Sequence, residues 1–300
     1  MKFILFGSLP PPIGGVSKSI ENLLHALKSR NIEAELFSKR VLFKRYDIAH
    51  IHYSKSWKRL LGLIIGKLIA KKVIFTLHGN HYRSDLFNNI SAKLTDGVIL
   101  LNKTTAKKLE KKFKRITILS SIFLEGFQKK DIIKKHYIDR KEGKVYLLVY
   151  AYGKVFQEGK DIYGIDFLLN NFISFNNKYV LVLVDPQGDY KNDVVKLNTN
   201  NLMHIDYEVD FVSLLQEIDI YLRPTITDGS SVAVQEALLS NKYIVASNVV
   251  ERPNGVTTYI RGDFLDFYDK LNHFKHNSNN FSPDSVKDYI NFSKLCVENR

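Results

Sequence analysis

Three hundred residues, 45% of them hydrophobic and 12% aromatic, leave room for about two well-packed domains and exclude a disordered or low-complexity chain. The one cysteine, Cys296, excludes an intramolecular disulfide and a cysteine-built zinc cage, which suits a reducing, cytoplasmic setting. The net charge of +13 is lopsided: residues 1–144 carry 30 Lys and Arg against 11 Asp and Glu, a balance of +19, while residues 145–300 carry 14 against 20, a balance of −6. A basic half attracts polyanions, whether nucleic acid, an anionic leaflet or a phosphorylated substrate, and charge alone leaves the three open.

The chain opens on the strand-like run Phe3-Ile4-Leu5-Phe6, cut short by Gly7 and Pro10-Pro11-Pro12, which is unlike a signal peptide. A helix follows over 17–29, then strands at AELFS and DIAHIHY, a helix over 57–70, and strands at KVIFTLHG, GVILL and TILS. The apolar stretch Leu60–Ala70 is interrupted by Lys67 and falls far short of the roughly 20 residues that cross a bilayer. After a charged passage over 128–144 the alternation restarts with KVYLLVYAYG, a helix over 165–174, YVLVLVD, LMHID, a helix over 211–217, DIYLRPT, a helix over 230–239 and KYIVASN. Strands separated by helices imply parallel sheets, so the expected fold is α/β with two Rossmann-like domains facing a central cleft. The expected division is 1–142 and 143–283, with a helix over about 284–300 packing back on the first domain.

The chemistry-bearing residues lie where strands end. Gly14-Gly15 precede a helix whose first amides could hold an anion, although this is neither GxGxxG nor GxxxxGK[ST] and a structural turn explains it equally well. His78 reads by itself as a strand-end histidine bonded to the backbone, and His50 and His52, alternating on DIAHIHY, as buried or cleft-facing with no third metal ligand in view. In TDGSSVAVQEALL, Asp228 opens a turn and Glu236 follows two helical turns later. Taken by itself, that spacing suits a helix cap and a solvated surface residue. Glu217-Ile218-Asp219 runs from a helix into a strand and reads as structural, so no metal is expected. SKSWKRLLGLIIGKLIAKK suits either a helix packed under the sheet or one resting on acidic lipid, with Trp57, Lys58, Arg59, Lys71 and Lys72 as the contacts in the second case.

The segment IDIYLRPTITDGSSVAVQEALLSNKYIVASNVVERPNGV resembles the donor-binding element of retaining GT-B glycosyltransferases of family 4, of the bacterial polysaccharide type. That resemblance implies sugar contacts from Asp228, phosphate and sugar contacts from Gly229 and the amides of Ser230 and Ser231, and ribose contacts from Glu236. The family usually has Glu at the first of these positions, so Asp228 is one methylene short. PPPIGGVSKSIENLLHAL and VIFTLHG are similar to the family's glycine loop and histidine strand, which nominates Gly14, Gly15 and His78. In AYGKVFQEGKDIYGIDFLL, Lys154 stands at the family's arginine, and Tyr163 stands at its lysine unless Lys160 substitutes. His78, Lys154 and Asp228 thereby become the expected catalytic residues.

The resemblance implies a metal-independent transfer without cofactor, from a nucleotide-diphosphate sugar, here a UDP-sugar, to a glycan acceptor. With a basic first half, that acceptor is expected to be lipid-linked, at the inner face of the plasma membrane. Three rivals are carried beside it. A nicotinamide oxidoreductase lacks its glycine fingerprint, a nucleic-acid-binding protein lacks a recognition motif, and a catalytically silent partner subunit would suit the departures at Asp228, Lys154 and Tyr163.

Overall fold

The computed structural model describes residues 1–11, 13–79, 82, 85–127, 136–274 and 281–298. In chain order the elements are β1 (Lys2–Phe6), α1 (Gly15–Ser29), β2 (Glu33–Leu36), β3 (Tyr46–Ile51), α2 (Ser56–Ile69), β4 (Ala70–Leu77), α3 (Leu86–Leu94), β5 (Gly97–Leu100), α4 (Lys103–Leu109) and β6 (Ile116–Ile118). They continue with β7 (Val145–Tyr150), β8 (Phe156–Gln157), β9 (Lys160–Asp161), α5 (Ile165–Asn170), β10 (Tyr179–Val184), α6 (Lys191–Leu197), β11 (Leu202–Ile205), α7 (Phe211–Leu215) and β12 (Ile220–Arg223). The last are α8 (Val232–Leu239), β13 (Tyr243–Ser247), β14 (Val256–Tyr259), α9 (Phe264–Asn272) and α10 (Val286–Glu298). Two units result, one of Met1–Gln128, Gly229–Val232 and Pro283–Arg300, the other of Lys129–Asp228 and Ala233–Ser282.

The division falls earlier than residue 142. Residues 136–142 are held by the second unit, where the Tyr137 and Ile138 amides donate to the Glu217 carboxylate and Arg140 pairs with Asp219 at 2.8 Å. Residues 128–135 of the charged passage, and 299–300 of the expected last helix, lie outside the described residues.

Each unit is built on a six-stranded parallel sheet, ordered β2-β1-β3-β4-β5-β6 in the first and β11-β10-β7-β12-β13-β14 in the second. Central strands covered on both faces read as unbroken apolar runs, and every residue of YVLVLV in β10 is buried. In α1 the buried Ile20, Leu23, Leu24 and Leu27 recur at helical spacing and face the first sheet. Each such side chain contributes on the order of 1.5–3 kcal/mol when removed from water.

The chain order reverses between β1 and β3 in the first sheet and between β7 and β12 in the second. Loops leaving those strands flank the crevice where doubly wound sheets take ligands. The helix α10 completes the first unit. Its Phe292 and Cys296 press on Gly97, where an added Cβ would stand 2.7 Å from the Phe292 ring and 2.8 Å from the Cys296 sulfur. Ahead of it, the Ser120 amide and hydroxyl donate to Asp284, and the Ser285 hydroxyl and Val286 amide donate to Glu125. Among the described residues, no helix is long and apolar enough to cross a membrane.

Candidate active site

In the first unit the loop after β1 leads to Gly14 and Gly15, both exposed, and Gly15 has open space where a side chain would be. The Gly14 amide donates to Ser17 Oγ at 3.0 Å and the Ser17 hydroxyl returns a bond to the Gly14 carbonyl. That exchange leaves one fewer helix-start amide for an anion than a bare glycine turn would offer.

The expected His78 directly follows β4 and meets His52, which directly follows the neighbouring β3, with His52 Nδ1 and His78 Nε2 3.0 Å apart. One ring nitrogen must donate and the other accept, so the two tautomers are set together. His50 is fully committed, its Nε2 to the Thr76 hydroxyl at 2.8 Å and its Nδ1 to the Tyr289 hydroxyl at 3.1 Å. Burial pushes all three imidazoles down, with His78 at about 4 as the Arg59 guanidinium adds to the burial. All are neutral at pH 7. His50 therefore holds the sheet together, and His52 supports His78.

In the second unit the sheet gathers a set of charges at the ends of β7 and β12. Lys154 leaves β7 and reaches Asp193 at 2.9 Å and Asp166 at 3.4 Å. Burial disfavours its charge, but the bond to Asp193 and the field of Asp166 outweigh that and raise its pKa. Lys160 lies exposed on the β8–β9 hairpin, whose turn residues Glu158 and Gly159 have φ of +53° and +75°, as a two-residue hairpin turn requires. Tyr163 is followed by Gly164 at φ +71°, a place closed to side chains because a Cβ there would sit 2.0 Å from the Pro224 carbonyl oxygen.

Asp228 does not present a free carboxylate. Arg223, the last residue of β12, grips it through Nε at 3.1 Å and Nη2 at 3.0 Å, and Arg252 reaches Oδ2 at 2.6 Å. Glu236 lies about one turn into α8 and is partly buried, and Gly229, Ser230 and Ser231 form the turn before that helix. Asp228, Lys154 and Tyr163 are thus brought to one end of one sheet, with two arginines that sequence reasoning missed. The available signal was an arginine closing the apolar strand DIYLR, together with the Arg-Pro pair of VVERP.

The lipid-contact candidates divide. Trp57 and Lys58 are exposed on α2, but Arg59 is only 3% exposed and is corrected to a structural residue. Its guanidinium donates to the Tyr53 and Ser54 carbonyls and to Asn88 Oδ1 at 2.8 Å, tying α2 to α3 over the Phe75 ring. Lys71 pairs with Asp47 at 2.6 Å, and Lys72 is partly buried beside Asp96 at 3.6 Å. The exposed apolar residues of α2, Trp57, Leu61, Ile64 and Leu68, fall on one face, and the neighbouring α3 exposes Leu86, Phe87 and Ile90. Among the described residues, no group of three or more His, Cys, Asp or Glu side chains is placed to hold a metal ion.

No family model matches the chain. Over 259 residues it is 23% identical to the Escherichia coli UDP-Gal:alpha-D-GlcNAc-diphosphoundecaprenol alpha-1,3-galactosyltransferase, covering 76% of this chain and 64% of that protein, so less than two thirds of this relative's length is spanned. It is 25% identical over 252 residues to an uncharacterized 41.2 kDa protein in the cps region of Klebsiella pneumoniae, covering 77% of this chain and 68% of that one. Among solved structures, Anabaena HepE in complex with UDP superposes with a TM-score of 0.65 at 13% identity, covering 99% of this chain and 93% of that one. Sucrose-phosphate synthase from Thermosynechococcus elongatus superposes with a TM-score of 0.64 at 11% identity, covering 100% and 93%. At these identities the likeness is one of fold, and the fold is GT-B.

Proposed function

We propose that the chain is a retaining glycosyltransferase that moves a sugar from a UDP-sugar to a lipid-linked glycan during synthesis of a cell-surface polysaccharide. The observation that carries this reading is the cluster of Lys154, Arg223, Asp228 and Arg252 at the switch point of the second sheet, in a chain that shares its fold with a UDP-bound protein. A diphosphate needs such cations, and a doubly wound sheet takes its ligand at that point. The E. coli relative's own substrates, a UDP-sugar and a lipid diphosphate, favour the same classes of donor and acceptor.

In this reading Glu236 accepts hydrogen bonds from the ribose hydroxyls, and the turn Gly229-Ser230-Ser231 approaches the sugar and phosphates. Lys154 and Lys160 supply positive charge, Gly14 and Gly15 admit the ligand closely, and neutral His78 hydrogen-bonds the sugar. The acceptor oxygen bonds to the anomeric carbon on the face from which the diphosphate leaves, and the departing phosphate oxygen takes the acceptor's proton. The protein's part is to position both substrates and to stabilise charge on the leaving group, without a metal. The apolar face of α2 and α3, flanked by Lys55, Lys58, Lys67 and Lys71, would rest on the anionic inner leaflet.

Thermal unfolding with UDP, GDP and ADP, followed by assay for sugar transfer with and without EDTA, tests the reading. A ligand at 100 times its Kd adds about 2.7 kcal/mol of stability, and only UDP should do so. Activity that EDTA abolishes and manganese restores would remove the metal-free mechanism. The engagement of Asp228 by two arginines also suits a silent partner subunit. UDP binding without turnover by the isolated chain would select that alternative.

A further inference from the structure

The buried charges at the end of β12 do not balance, since Arg223 and Arg252 bring two cations to the single carboxylate of Asp228. Arg252 is spent inside the fold. Its Nε donates to the Ser247 carbonyl, its Nη1 to Asp228, and its Nη2 lies 3.4 Å from both the Thr225 and Ser247 hydroxyls, with the side chain 3% exposed. Arg223 is differently placed. It uses Nε and Nη2 on Asp228, its side chain keeps 15% of its surface in solvent, and the group beside it besides Asp228 is the neutral Tyr221 hydroxyl.

Its surroundings hold the guanidinium still. The central carbon stands over the Tyr163 ring, 5.9 Å from its centroid, and Asp228 fixes the Nε–Nη2 edge of the fork. Leu222, the residue before it, is paired with Val149, so Arg223 comes off β12 beside the end of β7, at the reversal of strand order. The other cations at this end differ in kind. Lys154 already faces two carboxylates, and Lys160 is exposed on its hairpin. A partly buried surplus charge is costly to keep unless an anion meets it.

We propose that Arg223 grips the diphosphate of the donor, and that Asp228 positions Arg223 instead of binding the sugar. The assignment rests on the donor reading given above and deepens it. A planar guanidinium held along one edge offers its other edge to phosphate oxygens, which a lysine cannot match in geometry. As the bond between the anomeric carbon and the phosphate oxygen breaks, negative charge grows on the departing diphosphate, and a cation already in place stabilises it without reorganising.

The test is calorimetric titration of the full chain with UDP, UMP and UDP-glucose, for wild type, Arg223→Gln, Arg223→Lys and Asp228→Asn, each checked for cooperative thermal unfolding. Arg223→Gln should weaken UDP about ten- to a hundredfold, the range for losing hydrogen bonds to a charged group, and should weaken UMP much less. Arg223→Lys keeps a charge for Asp228 but loses the fork, so it should fall between the two, and it carries the test alone if the glutamine variant does not fold. Asp228→Asn should weaken UDP and UDP-glucose by the same factor, because it acts through Arg223. Wild-type affinity for UDP in folded Arg223→Gln overturns the assignment, as does an Asp228→Asn that weakens UDP-glucose alone. No binding of any of the three ligands by the wild type defeats the donor reading and the assignment with it.

Discussion

Arg252 and Asp228 lie 2.6 Å apart, guanidinium nitrogen to carboxylate oxygen, and join the loop that follows β12 to the loop that follows β13. Both side chains are almost wholly withdrawn from water. Burial alone would raise the Asp228 carboxyl, but Arg223 and Arg252 together outweigh it and hold the group at about 2. The folded value is below the unfolded one of 3.8, so the stabilisation is complete above pH 4 and is lost as pH falls towards 2. The difference corresponds to about 2 kcal/mol. Asp228→Asn should lower stability at pH 7 by about 3–5 kcal/mol, because two buried cations lose their partner, and the gap from wild type should narrow on acidification to pH 2. Urea unfolding across that range measures it, and a gap that stays constant with pH would refute the linkage.

The histidine pair makes a separate pH prediction. Unfolded histidine takes its proton near 6.5, whereas His78 is held at about 4, first by burial and then by Arg59. The folded chain therefore binds fewer protons between those values, and stability declines as pH drops from about 6.5 to about 4. The His78 ring signals in an NMR titration should stay at their neutral positions down to about pH 5. A midpoint above 6 would mean that the imidazole is charged where the sugar is expected.

Glu236→Ala should cost about 1.5–3 kcal/mol of UDP affinity, with the loss extending to UMP and uridine because the contact is to ribose. Lys154→Ala should spare uridine and weaken UDP. The two profiles differ in which part of the ligand they follow, and identical losses for all ligands in both variants would dissolve the assignments.

On α2, Leu61→Glu with Leu68→Glu should abolish sedimentation with acidic liposomes while leaving UDP binding intact, since both side chains are exposed, Leu68 at 67%. Changing Lys55, Lys58, Lys67 and Lys71 to glutamine should remove up to roughly 1 kcal/mol each and make the residual binding insensitive to salt. Equal recovery of the wild type on acidic and neutral vesicles at low salt would end the membrane proposal.

Gly97→Ala should destabilise the first unit by about 1–3 kcal/mol, because the new methyl enters space already held by Phe292 and Cys296. Unchanged thermal unfolding would show that α10 can shift aside without loss.

The two sheets were legible because strands buried on both faces, such as YVLVLV and KVIFTL, leave an unbroken apolar trace bounded by charge. The short helices α3, α4 and α6 were not, since seven to nine residues with few buried positions give little periodic signal. Asp228 and Lys154 were found from their place in a pattern, but what holds them was hidden. Arg252 is 24 residues from Asp228, Asp193 is 39 from Lys154, and no local spacing encodes either pair. Arg59 shows the opposite failure: Trp-Lys-Arg reads as a basic surface, yet the helical turn carries the third of these residues inward to Asn88.

The first unit is written in separated pieces, and α10 is reached about 150 residues after Gln128. On a ribosome adding roughly 5–20 residues per second, the apolar groove over Phe3, Ile74 and Ile99 would wait on the order of ten seconds or more for Tyr289 and Phe292 to cover it. The second unit, nearly continuous in sequence, can mature during that interval. The order of synthesis thus makes the earlier-translated unit the later one to close, and assigns to it the greater need for chaperone protection.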